Sequence, residues 1–164
     1  MTRQPAKVSV AVVFAAASLL GSVAIANSAR AGDCPADQMR PDARASGETM
    51  PKDVTDTELS SLGLGDQIKG LDGRRLRLRR LVIQPGGVVP WHSHADRPAL
   101  IMTVKGSITE YRSTCAVGIE HPAGDVSRES GGLSHWWKNN GKVAAELIAA
   151  DIKNDTAPAD TDHM

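Results

Sequence analysis

Aromatic residues are scarce: three Trp, one Tyr and one Phe make up 3% of 164 residues. A core must therefore be filled by Val, Leu, Ile, Ala and Met. The chain is long enough for one well-packed domain and too short for two. Charge of one sign is lacking as well, with 19 basic against 19 acidic residues. G-x-S-x-G, Walker-type and dinucleotide glycine patterns are absent, and QPGG and SGG are turns with no helix signal after them. Only two cysteines occur, Cys34 and Cys115.

One long apolar run is present, and it lies at the start. Arg3 and Lys7 precede VSVAVVFAAASLLGSVAIA, and small-residue A-x-A patterns follow at Ala24 to Ala26 and Ala29 to Ala31. A positive region, an apolar region and a cleavage site read as a signal peptide over 1–31, with the mature chain starting near Asn27 or Gly32. An uncleaved anchor is the other reading of a run that long. Cleavage would remove Arg3, Lys7 and Arg30 and no acid, leaving 16 basic residues against 19 acidic. Such a balance does not make a general polyanion binder. In an exported protein, Cys34 and Cys115 read as one disulfide tying the mature N-terminus to the domain, against the alternative of two free thiols.

Residues 32–58 are charged and small with almost no apolar periodicity, and read as an extended lead-in. RRLRLRRLVIQ alternates over Arg75 to Arg79, which is strand periodicity. Alternation is expected to put Leu on the core face and most of the arginines in solvent. Interleaved with Leu rather than with rings, they do not suggest nucleic acid. After QPGGVVP come WHSHADR, ALIMTVK, ITEYR, VSRES, LSHWWK and KVAAELIAADI, short β-prone runs split by Gly, Asn and Pro turns, the pattern of an all-β sandwich or barrel. Asn140-Gly141 is a strong hairpin signal and Lys105-Gly106-Ser107 a weaker one. KVAAELIAADI would suit a helix by composition, but the turn before it favours a final strand. The domain is expected over 59–153 and a disordered tail over 154–164.

His92 and His94 are two apart in an extended segment, so both imidazoles share one face. His135 follows about forty residues on in LSHWWKNNG, beside tryptophans that would dry a pocket. Arg97 is a candidate donor to an anionic ligand. Tyr111 is a candidate hydroxyl donor. Of Trp136 and Trp137 one should line the pocket, and Trp136 is taken for that place. His121, beside Pro122, is expected at a turn, structural or exposed.

GGVVPWHSHADRPALIMTVKG resembles the first motif of the cupins: Gly86, five residues, His92, one residue, His94, and a later Gly106. The second motif, a P-x-G turn followed by a histidine and then an asparagine, is matched by Pro122, Gly124, His135 and Asn139, with DVSRESGGLS as an apparent insertion. The resemblance covers roughly residues 70–153. It implies a small double-stranded β-helix, the cupin or jelly-roll barrel, with an irregular N-terminal extension. It also implies a metal held by His92, His94 and His135. The glutamate that cupins usually add falls on Ala99, which cannot ligate. Glu110 and Glu129 are the acids most able to replace it if a strand turns one inward.

Three neutral imidazoles suit Fe, Ni, Cu or Zn, with positions left open to water or a small-molecule ligand. The residues leave two functions open: a metal-dependent oxygenase or isomerase, or a non-catalytic binding or scaffold cupin whose site is degenerate and metal-free. Export implies the periplasm or secretion, with no membrane anchor after cleavage. Cupins are often dimers, so a homodimer is compatible with the resemblance.

Overall fold

A computed structural model describes residues 32–157. The expected signal peptide over 1–31 and, of the expected tail over 154–164, residues 158–164 lie outside the described residues, while Asn154 ends the last strand.

The described chain is all-β apart from one 3₁₀ turn at Ala36–Gln38. Eight strands follow: β1 (Lys52–Gly63), β2 (Arg74–Ser93), β3 (Ala99–Lys105), β4 (Ser107–Arg112), β5 (Ile119–Pro122), β6 (Val126–Glu129), β7 (Ser134–Lys138) and β8 (Ala145–Asn154). β1 begins inside the expected lead-in, and the helix-suited KVAAELIAADI is strand β8.

β2 organises the barrel. Its first half pairs with β1 and β8, and its second half with β7, in the strand order β5-β4-β7-β2-β8-β3-β6. The bend between the halves is QPGG. Gly86 has φ 78°, where an L side chain is strained. A Cβ on Gly87 would come within 2.8 Å of the Asp53 and Gln84 carbonyl oxygens. One strand thus serves two facing sheets, which is how a double-stranded β-helix closes.

Neither expected hairpin forms. β3 pairs with β8 and β6, β4 with β5 and β7, and β7 with β2 and β4, so Lys105-Gly106-Ser107 and Asn140-Gly141 are corners between sheets. Asn139 holds the second corner by donating from Nδ2 to Ile83 O and Val143 O and accepting from Gly141 N. Turn chemistry marks where a strand ends, not which strand lies beside it.

The core is aliphatic as expected, with Leu81, Ile83, Val89, Ile101, Ile108 and Leu147 around Trp137. The first half of β2, however, is inside out relative to the expected facing. Arg77 and Arg79 are buried, whereas Leu76 and Leu78 keep 43% and 39% of their surface. The arginines are tolerated because β8 and β1 supply acids. Arg77 forks onto Asp151 with bonds of 3.0 and 2.9 Å. Arg79 bonds Asp56 and lies 3.3 Å from Asp151. Burial would raise the Asp151 pKa, but the bonds and charge of Arg77, with Arg79 and Arg97 nearby, hold it below its ordinary value.

Cys34 and Cys115 form a disulfide with Cα atoms 5.9 Å apart. It staples the lead-in to the loop after β4, where Arg44 also bonds the carbonyls of Cys115 and Ala116. The bond points to an oxidising compartment.

Candidate metal centre

The second half of β2 carries His92 and His94 into the barrel, and β7 lays His135 directly opposite His92 in register. Strand alternation makes these three rings converge, since His92 and His94 share a face and His135 is a cross-strand neighbour. Their Nε2 atoms form a triangle with sides of 3.0, 3.0 and 3.1 Å.

Hydrogen-bond accounting shows what this triangle is. His92 Nδ1 lies 2.8 Å from Pro90 O and His94 Nδ1 2.7 Å from Arg97 O. A carbonyl only accepts, so each Nδ1 carries the proton and each Nε2 is a bare lone pair. Protonating the rings is opposed: burial, and then the neighbouring rings, push His92 well below its ordinary pKa and His94 down to about 3. His135 Nδ1 is 2.5 Å from Glu110 Oε1. Each of the three rings thus has its Nδ1 held by an acceptor, as in metal sites where outer partners fix the tautomer. Three lone pairs facing one another cannot satisfy each other, and a cation satisfies all three. His92, His94 and His135 would hold such an ion through their Nε2 atoms, as imidazoles hold zinc. The three histidines are a group able to hold a metal ion.

Beside His92 and His94 lies a water-sized cavity of about 20 Å³, walled by Leu81, Ile101 and Leu147 and by Arg79. Arg79 Nε is buried without a hydrogen-bond acceptor.

The other expected ligand-binding residues are placed differently. Arg97 is buried beside the centre, with its guanidinium 3.9 Å from Asp151, so its charge is shared with the arginine cluster. Tyr111 and Trp136 are cross-strand partners on the outer face, stacked with centroids 4.2 Å apart. Gly47 of the lead-in lies against Trp136, and the Arg44 guanidinium sits 5.3 Å from the Tyr111 ring centre. The ring facing the histidines is Trp137, 5.4 Å from His135. Since His135 points inward, alternation sends Trp137 the same way and Trp136 out.

His121 is buried, not exposed. The apparent insertion before His135 is no insertion: it contains β6, and the turn that presents His135 is Gly131-Gly132, both at positive φ, with two residues between Gly132 and His135. Reading SGG as that turn would have restored the usual spacing.

Glu110 and Glu129, the two acids expected to matter only if a strand turned one inward, are both fully buried. The signal was the alternation of β4, which turns Ile108, Glu110 and Arg112 to one face.

A bent β2 shared by two sheets, with a histidine triad inside, defines a cupin-type barrel. Nectarin-1 of Nicotiana plumbaginifolia is 31% identical over 88 residues, 52% of this chain and 38% of that protein. Germin-like protein subfamily 2 member 1 of Arabidopsis thaliana is 34% identical over 86 residues, 51% and 39% of the two chains. With the motifs and topology above, these matches place the chain in the cupin superfamily. It spans about two-fifths of the length of those relatives. No protein-family model matches the chain. Among solved structures it is similar to an oxalate oxidase with the substrate analogue glycolate (22% identity, TM-score 0.49, covering 71% and 58%). It is also similar to the Schizosaccharomyces pombe Cnp3 cupin domain (14% identity, TM-score 0.48, covering 61% and 64%).

Proposed function

We propose that this chain is an exported, single-domain cupin that holds one divalent transition metal, Fe, Ni, Cu or Zn, on His92, His94 and His135. It presents the open side of that metal to a small anionic or oxygen-bearing ligand. The observation that carries the reading is the triangle of bare Nε2 lone pairs. A bound metal would supply Lewis acidity or redox chemistry, the basis of an oxygenase or isomerase. The chain itself supplies a dry wall of Leu81, Ile101 and Leu147, and the unpaired Nε–H of Arg79 favours a negatively charged oxygen. A non-catalytic binder is the second reading, favoured by how little room the cavity leaves for a substrate.

Metal analysis of untagged mature protein tests the site: near one ion per chain, lost in His92→Ala, is the expected result. Metal far below that level and indifferent to His92, His94 and His135 refutes it. Loading with Co(II) and adding azide or formate then tests the open position, through a shift of the visible bands. With metal loaded, oxygen uptake across thiols, diketones and phenols separates an enzyme from a binder.

Export is supported by the leader-like run and the disulfide. A mature N-terminus near Asn27 or Gly32 and no free thiol in denatured, unreduced protein are expected. Retention of Met1 to Ala26 would contradict cleavage.

The inside-out half of β2 supports a homodimer. Its outer face aligns Leu62, Leu76, Leu78, Leu100, Met102 and Val126 across four strands of one sheet, all substantially exposed. They present roughly 400–500 Å² of apolar surface, at the upper end for a monomer and over half of the about 800 Å² that each partner of a stable interface covers. A second copy laid face to face would cover it. Sedimentation of the wild type as a dimer, and of Leu78→Glu as a monomer, is expected. A monomeric wild type at tens of micromolar refutes the pairing.

A further inference from the structure

The position that lacks the usual glutamate is walled by other acids. Ala99 on β3 lies in register between Asp151 on β8 and Glu129 on β6, and all three are buried. Asp151 is engaged by Arg77 and Arg79. Glu129 accepts from Ser127 and lies 3.5 Å from both Arg112 and His135 Nδ1. A glutamate at 99 would be a third buried acid in one row.

The acid that meets the histidines arrives from another strand. Glu110 on β4 is fully buried, and both its oxygens are used. Oε1 accepts from His135 Nδ1 at 2.5 Å. Oε2 accepts from Arg112 Nε at 2.7 Å and lies 2.9 Å from His121 Nε2. His121 Nδ1 lies 2.7 Å from Asp125 at the surface. Arg112, His121 and His135 thus surround both carboxylate oxygens, with the permanent charge of Arg112 set against Oε2. The rings of His92 and His94, by contrast, rest on neutral carbonyls.

We propose that Glu110 is the positioning carboxylate of this centre. Through His135 it supplies the orientation and negative charge that a direct ligand at Ala99 would have given. A carboxylate on Nδ1–H makes the far nitrogen more basic, so His135 is the strongest donor of the three. Glu110 acts on the metal through the imidazole, and this rests on the three-histidine reading.

The test uses full mature protein, Zn(II) affinity by chelator competition, and 15N chemical shifts of the His135 ring. In metal-free wild type, His135 should show a protonated Nδ1 and a bare Nε2. Glu110→Gln should lower Zn(II) affinity ten- to hundred-fold. Glu110→Asp should recover part of that loss, and Glu129→Gln should change affinity less than three-fold. Wild-type affinity in a folded Glu110→Gln, a protonated His135 Nε2 in the wild type, or a larger loss in Glu129→Gln each overturns the proposal. If Glu110→Gln does not fold, Glu110→Asp and the wild-type ring shifts decide. Wild type that takes up no Zn(II) overturns the metal reading and the charge role with it, whereas a bound Zn(II) with the wrong tautomer overturns the Glu110 role alone.

Discussion

The two halves of β2 deliver two buried polar clusters to one barrel, and they are built on opposite terms. Near the start of the strand, Arg77 and Arg79, joined by Arg97, gather around Asp151 and Asp56, cation against anion. Near its end, His92 and His94 meet His135 with like atoms face to face. The first cluster draws its cohesion from charges within the fold. The second has spent its Nδ1 protons on fixed acceptors, and its three convergent lone pairs suit a cation. Burial alone does not mark a site. An unclosed hydrogen-bond account at a point of convergence does.

Variants should separate the clusters. The largest effect is expected in the histidines: His92→Ala should take bound metal from about one ion per chain to none, while metal-free stability stays within about 1 kcal/mol. Metal analysis beside urea denaturation reads both. Asp151→Asn should do the reverse, destabilising by about 3–5 kcal/mol by leaving buried arginines without their common anion, while the folded fraction still binds metal. Because the folded Asp151 pKa is depressed, its stabilisation is present above the unfolded value near about 4 and is lost as pH falls below it. Denaturation at pH 5 and pH 3 should show that loss in wild type and a shallower slope in Asp151→Asn.

Reducing the disulfide should cost about 2–4 kcal/mol, read as a lower unfolding midpoint, with metal stoichiometry unchanged. The smallest effect belongs to the outer face of β2. Leu78→Glu should leave monomer stability within about 0.5 kcal/mol, measured by dilution into the monomer range.

The same contrast explains what the sequence made legible. The histidine spacing, the all-β class, the positions of turns and the Cys34–Cys115 pairing were readable, because each depends on local geometry or on a short inventory. The facing of RRLRLRR was not. Alternation fixes the period of a strand but not its sign, and here the sign was set by Asp151 and Asp56 on other strands. Trp136 and Trp137 are the same problem in miniature, decided by which neighbour shares a face with His135. The inward turn of Glu110 was not legible, because an isolated acid on a strand is usually outside and nothing in ITEYR shows that His121, Arg112 and His135 surround it.

X-ray absorption on the Zn(II)-loaded protein tests the central claim most directly. Three imidazole nitrogens at about 2.0–2.1 Å, with one further light-atom ligand, is the outcome this account predicts. A shell with fewer than two imidazoles, or one unchanged in His135→Ala, would contradict it.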